Sequence, residues 1–301
     1  MRILFLIINL ALFSKLYSNP IVDSDWLSKN LCKENIKVLE VGNSYNSYLV
    51  EHIQCSQFTN FYKNGWRINK NGINMSMPSV EKLVSLIEDM GFDEKDHIIL
   101  YSKENNEYSV AESTAIYFSL KYLGHKKISI LKGGYPNFKK KYGLLIDEGI
   151  FEFENKSKYD FKVNYNILAT SEDVISNQKN ELTLIDSRES DFYLGINKLN
   201  GFDSFGTIEG SMNIPSKWFL RGRGLEFNDL ETIKAIYKSK KINKDNKVIF
   251  FCYAGLESSI NWFVAHELNK NKNARLFEGS IFEWKSKKKP LHKKTLKKRR
   301  Q

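Results

Sequence analysis

Short apolar runs alternate with amphipathic stretches along most of this chain, and the same order occurs twice. In the first half, a helical pattern over Asp25 to Lys33 precedes an apolar run at Lys37 to Val41. A helix pattern at Val80 to Asp89, an apolar run at His97 to Tyr101, a helix pattern at Ala111 to Leu123 and an apolar run at Ile128 to Leu131 follow, before Gly133-Gly134-Tyr135-Pro136 turns the chain. The second half repeats this with Ser171 to Asn177, Leu182 to Ile185, Leu230 to Lys238, Val248 to Phe251, Ile260 to Leu268 and Ala274 to Phe277, ending at Gly279-Ser280. Short apolar strands between amphipathic helices predict parallel sheets in an α/β fold. A period of about 150 residues predicts duplicated domains and not a solenoid. The polar stretch Phe151 to Tyr165 reads as a linker between domains over 20–150 and 166–289.

Charge changes this picture only at the end of the chain. Of 46 Lys and Arg, ten fall in residues 285–301, which contain no acid, so the rest of the protein is near neutral despite a formal charge of +11. No nucleic-acid partner is expected; residues 290–301 read as a solvated basic tail able to touch anionic surfaces. At the other end, Met1-Arg2, an apolar stretch from Ile3 to Phe13 and Leu16-Tyr17-Ser18 have the layout of a secretory signal over residues 1–18. That stretch is far short of the roughly 20 residues a spanning helix needs, so an exported protein, periplasmic or secreted, is expected.

In such a compartment the three cysteines matter. Cys32 and Cys55 could pair and leave Cys252 free, or both could be buried thiols. No two cysteines are spaced for zinc, and His52, His97, His125, His266 and His292 are scattered, so neither a metal nor another cofactor is expected. Cys252 is the candidate nucleophile. It sits where Val248-Ile249-Phe250-Phe251 stops and Tyr253-Ala254-Gly255-Leu256-Glu257-Ser258-Ser259 leads into a helical pattern. Sites in open α/β sheets form at the carboxyl ends of strands, where loop N–H groups and a helix N-terminus favour an anion, and the thiolate is the reactive form of cysteine. An inert cysteine at a strand end is the competing reading.

The residues resemble the tandem-domain rhodaneses, the thiosulfate and 3-mercaptopyruvate sulfurtransferases. Leu184-Ile185-Asp186-Ser187-Arg188 looks like that family's strand ending in Asp-x-Arg. Gly206-Thr207-Ile208-Glu209-Gly210-Ser211-Met212-Asn213-Ile214-Pro215 is similar to its Gly-His-Ile-x-Gly-Ala-x-Asn-Ile-Pro, with Thr207 in place of the usual His. Cys252-x-x-Gly255 matches the active-site loop, and Phe277-Glu278-Gly279-Ser280-Ile281-Phe282-Glu283-Trp284 resembles the closing Asp-Gly-Ser-x-x-Glu-Trp. Gly124-His125-Lys126 through Pro136 resembles the corresponding end of the first repeat. The resemblance implies two tandem rhodanese-like domains, each a mainly parallel sheet with helices on both faces. It also implies a Cys252 persulfide carrying sulfur from a small-molecule donor to a thiol, cyanide-like or protein acceptor. Ser102 stands where the first repeat would carry its cysteine and cannot hold a persulfide, so the first domain reads as non-catalytic.

Around Cys252, the expected substrate-binding residues are Arg188, Tyr253, Ala254, Gly255, Leu256, Glu257 and Ser258, with Asp186 supporting the loop through an ion pair to Arg188. Gly255 supplies backbone freedom, and Ser258 either donates to the sulfur or caps the helix. Trp218, Arg221 and Arg223 could line the entrance; His266 reads as a packing residue. Tyr253-Ala254 fits neither the cations that follow the cysteine in thiosulfate enzymes nor the Gly-Ser of mercaptopyruvate enzymes. No arginine lies between Arg188 and Arg221 to complete a carboxylate clamp, and Glu257 would oppose thiolate formation. An uncharged donor or a protein persulfide therefore stays open. Ser258, where phosphatases of this fold need an arginine, argues against phosphatase activity. A non-catalytic binding or scaffold module with a vestigial cysteine is the alternative.

Overall fold

The computed structural model describes residues 19–153, 158–176 and 182–294. The expected signal segment and the last basic residues, 295–301, lie outside them. Five parallel strands form the first sheet: β1 (Ile21–Val22), β2 (Ile36–Gly42), β3 (Ser56–Asn60), β4 (His97–Tyr101) and β5 (Ile128–Leu131), in the order β1-β5-β4-β2-β3. The second sheet holds β6 (Leu168–Ala169), β7 (Thr183–Asp186), β8 (Met212–Asn213), β9 (Val248–Phe251) and β10 (Ala274–Phe277), in the order β6-β10-β9-β7-β8. The two orders are the same, as duplication requires, and both sheets are parallel throughout.

Alternation along the strands divides the core. Leu39, Val41, Ile98 and Leu100 face one way and join Ile185, Val248, Phe250 and Leu276 of the second sheet in a single apolar cluster. Val38, Ile99 and Tyr101 face the other way, as do Leu184, Ile249, Phe251 and Phe277, each set under its own outer helices. The shared layer is filled by helices α1 (Val80–Asp89) and α2 (Glu107–Tyr122) from the first domain and α3 (Leu230–Ser239) and α4 (Leu256–Phe263) from the second. Helix α2 is buried on nearly every side. It crosses α4 with Phe118 edge-on to Trp262 and Tyr117 edge-on to Phe263, both at 4.8 Å. Thr114 Oγ1 and Ser259 Oγ hydrogen-bond at 2.6 Å across the same seam. A helix buried all round carries little amphipathic signal, and this one joins two domains into one core.

Several boundaries differ from the sequence expectation for local reasons. The helix expected over Asp25 to Lys33 ends at Ser28, and Cys32 turns back with φ 59° to meet Cys55 in a disulfide, Cα–Cα 5.4 Å. Closing a loop of this length stabilises by about 3 kcal/mol on the chain-entropy model. Helix α2 begins four residues early, because the Asn106 side chain caps it at Ser109 N. Gly133-Gly134-Tyr135-Pro136 does not merely turn the chain but opens a helix, Gly134–Tyr142, just as Gly279-Ser280 opens Ser280–Ser286. Residues 290–294, expected to be free tail, are docked: His292 pairs its backbone with Thr207, and Trp284 Nε1 donates to Pro290 O at 2.9 Å. Gly206 allows this, since a Cβ there would lie 2.3 Å from His292 O, and its φ of 94° excludes most side chains.

Candidate functional site

Cys252 lies at the carboxyl end of β9, the central strand of its sheet, and is fully buried. Gly255 takes φ 79° and starts α4 directly behind it, so Glu257 and Ser258 fall in the first helical turn and not in an open loop. A Cβ at Gly255 would stand 2.8 Å from Glu278 O, so both backbone angle and space require glycine. The turn is pinned from the next strand's end. Cys252 N donates to Ser280 Oγ at 3.1 Å, and Ile281 N and Phe282 N donate to the carbonyls of Cys252 and Tyr253 at 3.2 and 3.0 Å. The first domain repeats part of this with Tyr135 N donating to Ser102 O at 3.0 Å. There, however, the Ser102 hydroxyl is tied to Ser109 O and Ser113 Oγ, both at 2.9 Å.

Ser258 donates to Sγ from its hydroxyl, at 3.3 Å, and from its backbone N–H. The Glu257 charge, one residue nearer the cysteine on the same helical turn, also acts on the thiol. Burial, reinforced by the Glu257 charge, pushes the Cys252 thiol up to about 12 against the opposing pull of Ser258. The Glu257 carboxyl is raised as well, first by burial and then by nearby Glu107, with Cys252 and Arg188 pulling the other way. At neutral pH the resting Cys252 thiol therefore keeps its proton.

The expected site residues separate into those facing the sulfur and those bracing it. Arg188 is 2% exposed and its fork is taken: Nε and Nη2 bond Asp186 at 2.9 and 2.6 Å, and Nη2 also bonds Gly206 O at 2.8 Å. It stacks over the Tyr253 ring at 4.5 Å. Arg188, expected at the substrate and in a loop-bracing ion pair with Asp186, ties the β7 end to the loop. Thr207, at the position where the family has histidine, donates to Asp186 Oδ2 at 2.7 Å and completes this anchor. Tyr253, also expected at the substrate, packs among Phe192, Phe202 and Phe282 and accepts the Leu199 N–H at 3.0 Å. Leu256 packs toward Val110 and Ala111 of α2, while Ala254 is buried in the turn. Arg221 pairs with Asp229 and Trp218 is half-exposed under Lys240. The side chain of Arg223 lies outside the described residues. His266 stacks on Trp262 as a packing residue.

Sequence reasoning missed Arg67. This guanidinium from the first domain is fully buried, pairs with Glu278 at 2.9 Å and is close enough to Cys252 for a thiolate to stabilise its charge. Its Nη1 bonds Trp66 O at 2.6 Å and Ser119 Oγ at 3.3 Å, whereas Nη2 has no hydrogen-bond partner. Glu278 accepts from the Met77 backbone, so the first domain grips the strand end beside Gly255. Nothing in the spacing of Asn64-Gly65-Trp66-Arg67 signals this role. No cluster of three or more metal-ligating side chains occurs among the described residues.

The fold and the strand-end cysteine define a two-domain α/β protein with one thiol site. The chain belongs to the rhodanese-like domain family, which matches it twice, over residues 23–141 and 170–287. Thiosulfate sulfurtransferase of Mus musculus is 23% identical over 88% of this chain and 91% of that protein. A putative thiosulfate sulfurtransferase of Synechococcus elongatus is 25% identical over 86% and 80%. Among solved structures, the 3-mercaptopyruvate sulfotransferase SseA of Escherichia coli superposes with a TM-score of 0.71 at 19% identity, covering 87% of this chain and 99% of that one, a likeness of fold.

Proposed function

We propose that this protein is a sulfurtransferase in which Cys252 takes a sulfane sulfur from a small donor as a persulfide and passes it to a thiol, cyanide-like or protein acceptor. The observation that carries this reading is the seat of the sulfur. A free thiol at a central strand end lies on the first turn of a helix, with both hydrogen-bond donors of Ser258 turned to it. Such donors are worth most where negative charge develops in a water-poor site. The names of the relatives support the same chemistry. Splitting the transfer into two half-reactions is covalent catalysis with ping-pong kinetics. Asp186, Arg188 and Thr207 hold the loop, and the first domain covers the site through Arg67 and α2.

Export is proposed with it. The segment Met1 to Ser18 has the layout of a cleaved signal, and the Cys32–Cys55 disulfide suits an oxidising compartment. No helix among the described residues is long and apolar enough to cross a membrane.

A second reading has one observation in its favour: complete burial of Cys252 suits a scaffold with an unused thiol. Mass spectrometry after exposure to thiosulfate and, separately, to 3-mercaptopyruvate or a persulfide decides between them. The enzyme gains one sulfur on the Cys252 peptide with at least one donor, and the Cys252→Ser variant gains none. A reduced, folded protein that takes up no sulfur from any donor is a scaffold.

A further inference from the structure

We infer that residues 290–294 are a positioning strap for sulfur transfer: by holding the Gly206–Thr207 backbone they keep the Asp186–Arg188 brace, and through it Cys252, in place. This deepens the sulfurtransferase reading and rests on it. The strap is a repeated part of the fold. In the first domain Ile146–Asp147, downstream of the helix Gly134–Tyr142, pairs antiparallel with His52–Ile53. In the second, His292, downstream of Ser280–Ser286, pairs antiparallel with Thr207. His52-Ile53 and Thr207-Ile208 hold matching places: Tyr48 OH donates to Ser56 O at 2.6 Å beyond the first, and Tyr193 OH donates to Ser211 O at 3.0 Å beyond the second.

Contacts run without a gap from the strap to the loop. His292 N donates to Thr207 O at 2.8 Å, and Thr207 N donates to His292 O at 3.1 Å. Lys294 N donates to Leu194 O at 3.1 Å, Trp284 Nε1 holds Pro290 O, and the Lys293 ammonium lies 4.4 Å from the centre of the Phe205 ring. The same Gly206–Thr207 segment serves the brace. Thr207 Oγ1 donates to Asp186 Oδ2 at 2.7 Å, and Gly206 O accepts from Arg188 Nη2 at 2.8 Å. Arg188 stacks over Tyr253, which follows Cys252, while Ser187 N donates at 2.8 Å to the carbonyl of Phe251, which precedes it.

The brace depends on the strap for two reasons. Thr207 is fully buried with both backbone groups on His292, so without the strap its N–H and C=O must turn outward to find water. Arg188 and Asp186 are 1% and 0% exposed, and a buried ion pair keeps its geometry only where further hydrogen bonds satisfy it. Thr207 Oγ1 and Gly206 O supply two of those bonds. A shift of this segment therefore loosens the pair that fixes both chain neighbours of Cys252. Misplacing a reacting group by about 1 Å can cost about 100-fold in rate.

The test begins with the full chain, in which His292→Pro removes the N–H given to Thr207. With the donor that loads the wild type, kcat should fall about tenfold while KM stays within about twofold, because the sulfur is displaced and the donor's own contacts are not. Thr207→Val, which lacks the hydroxyl on Asp186, should show the same split. The double variant should be no slower than the slower single one, since both act by one route. A chain ending at Lys294 retains the strap and should transfer at the wild-type rate, whereas one ending at Lys289 should match His292→Pro. Unchanged kcat in either folded strap variant, a loss confined to KM, or losses that multiply in the double variant would overturn the inference. Wild-type protein that gains no sulfur on Cys252 from any donor would instead overturn the sulfurtransferase reading beneath it, so the two failures are distinct.

Discussion

At the scale of single residues, the site is governed by what burial does to charge. A cysteine at a helix N-terminus is ordinarily acidified, yet here removal from water and an adjacent carboxyl outweigh the helix and Ser258, and the thiol rises to about 12. Thiol alkylation should accordingly be slow at neutral pH and quicken only in strong alkali. The second buried charge is Arg67 with Glu278, side chains 0% and 7% exposed. Replacing one partner of such a pair strands the other, which costs about 3–5 kcal/mol, whereas replacing both is often neutral. Arg67→Met should lose about that much stability in urea unfolding, and Arg67→Met with Glu278→Gln should regain most of it. Additive losses in this cycle would mean that the two side chains do not stabilise each other.

At the scale of elements, the junction between β9 and α4 decides where the reactive groups point. Gly255 ends the strand-to-helix turn at φ 79° against Glu278 O. Alanine there must adopt a left-handed backbone costing about 1–2 kcal/mol, and its Cβ must displace the neighbouring carbonyl. Gly255→Ala should destabilise by more than that strain alone and should remove sulfur transfer, because the Ser258 donors leave the sulfur. A variant with wild-type stability and rate would show that the turn tolerates a side chain. The apolar runs at β4, β5, β9 and β10 were legible to the residue, since parallel strands buried on both faces leave uninterrupted apolar stretches. The edge strand β3, Ser56-Gln57-Phe58-Thr59-Asn60, was not, because its mixed polarity resembles a loop. The two-residue strands β1, β6 and β8 are too short to leave a period.

At the scale of the whole molecule, buried neutral histidines couple the packed core to pH. Burial holds His125 to about 4, and its ring bonds Tyr159 OH at 2.7 Å and Asp96 O at 3.0 Å. His97 is held to about 4 by burial as well. Below the ordinary 6.5 the unfolded chain takes up protons that the folded imidazoles refuse, so each contribution is full above 6.5 and is lost as pH falls to 4. His125→Gln should therefore be less stable than the native protein at pH 7. Its deficit should close by about 3 kcal/mol between pH 6.5 and 4, an estimate from the shift alone. A deficit independent of pH in urea titrations would show that His125 does not titrate on unfolding. Opposite effects from buried carboxyls such as Glu40, raised to about 7 by burial, cancel in that comparison because both proteins carry them.

The sequence by itself determined the duplicated α/β architecture, the strand-end position of Cys252, the Asp186–Arg188 pair and the need for Gly255. Each is written in apolar runs and motifs a few residues long, and local physics suffices to read them. Whether Cys32 and Cys55 pair depended on a chain reversal that spacing does not encode. That Tyr253 packs among Phe192, Phe202 and Phe282, that Arg67 comes from the other domain, and that residues 290–294 dock on Gly206 were decided only by tertiary structure. Contacts between residues far apart in the chain arise from the packing of helices and sheet ends, and a one-dimensional pattern holds no information about which side chain fills a buried space first.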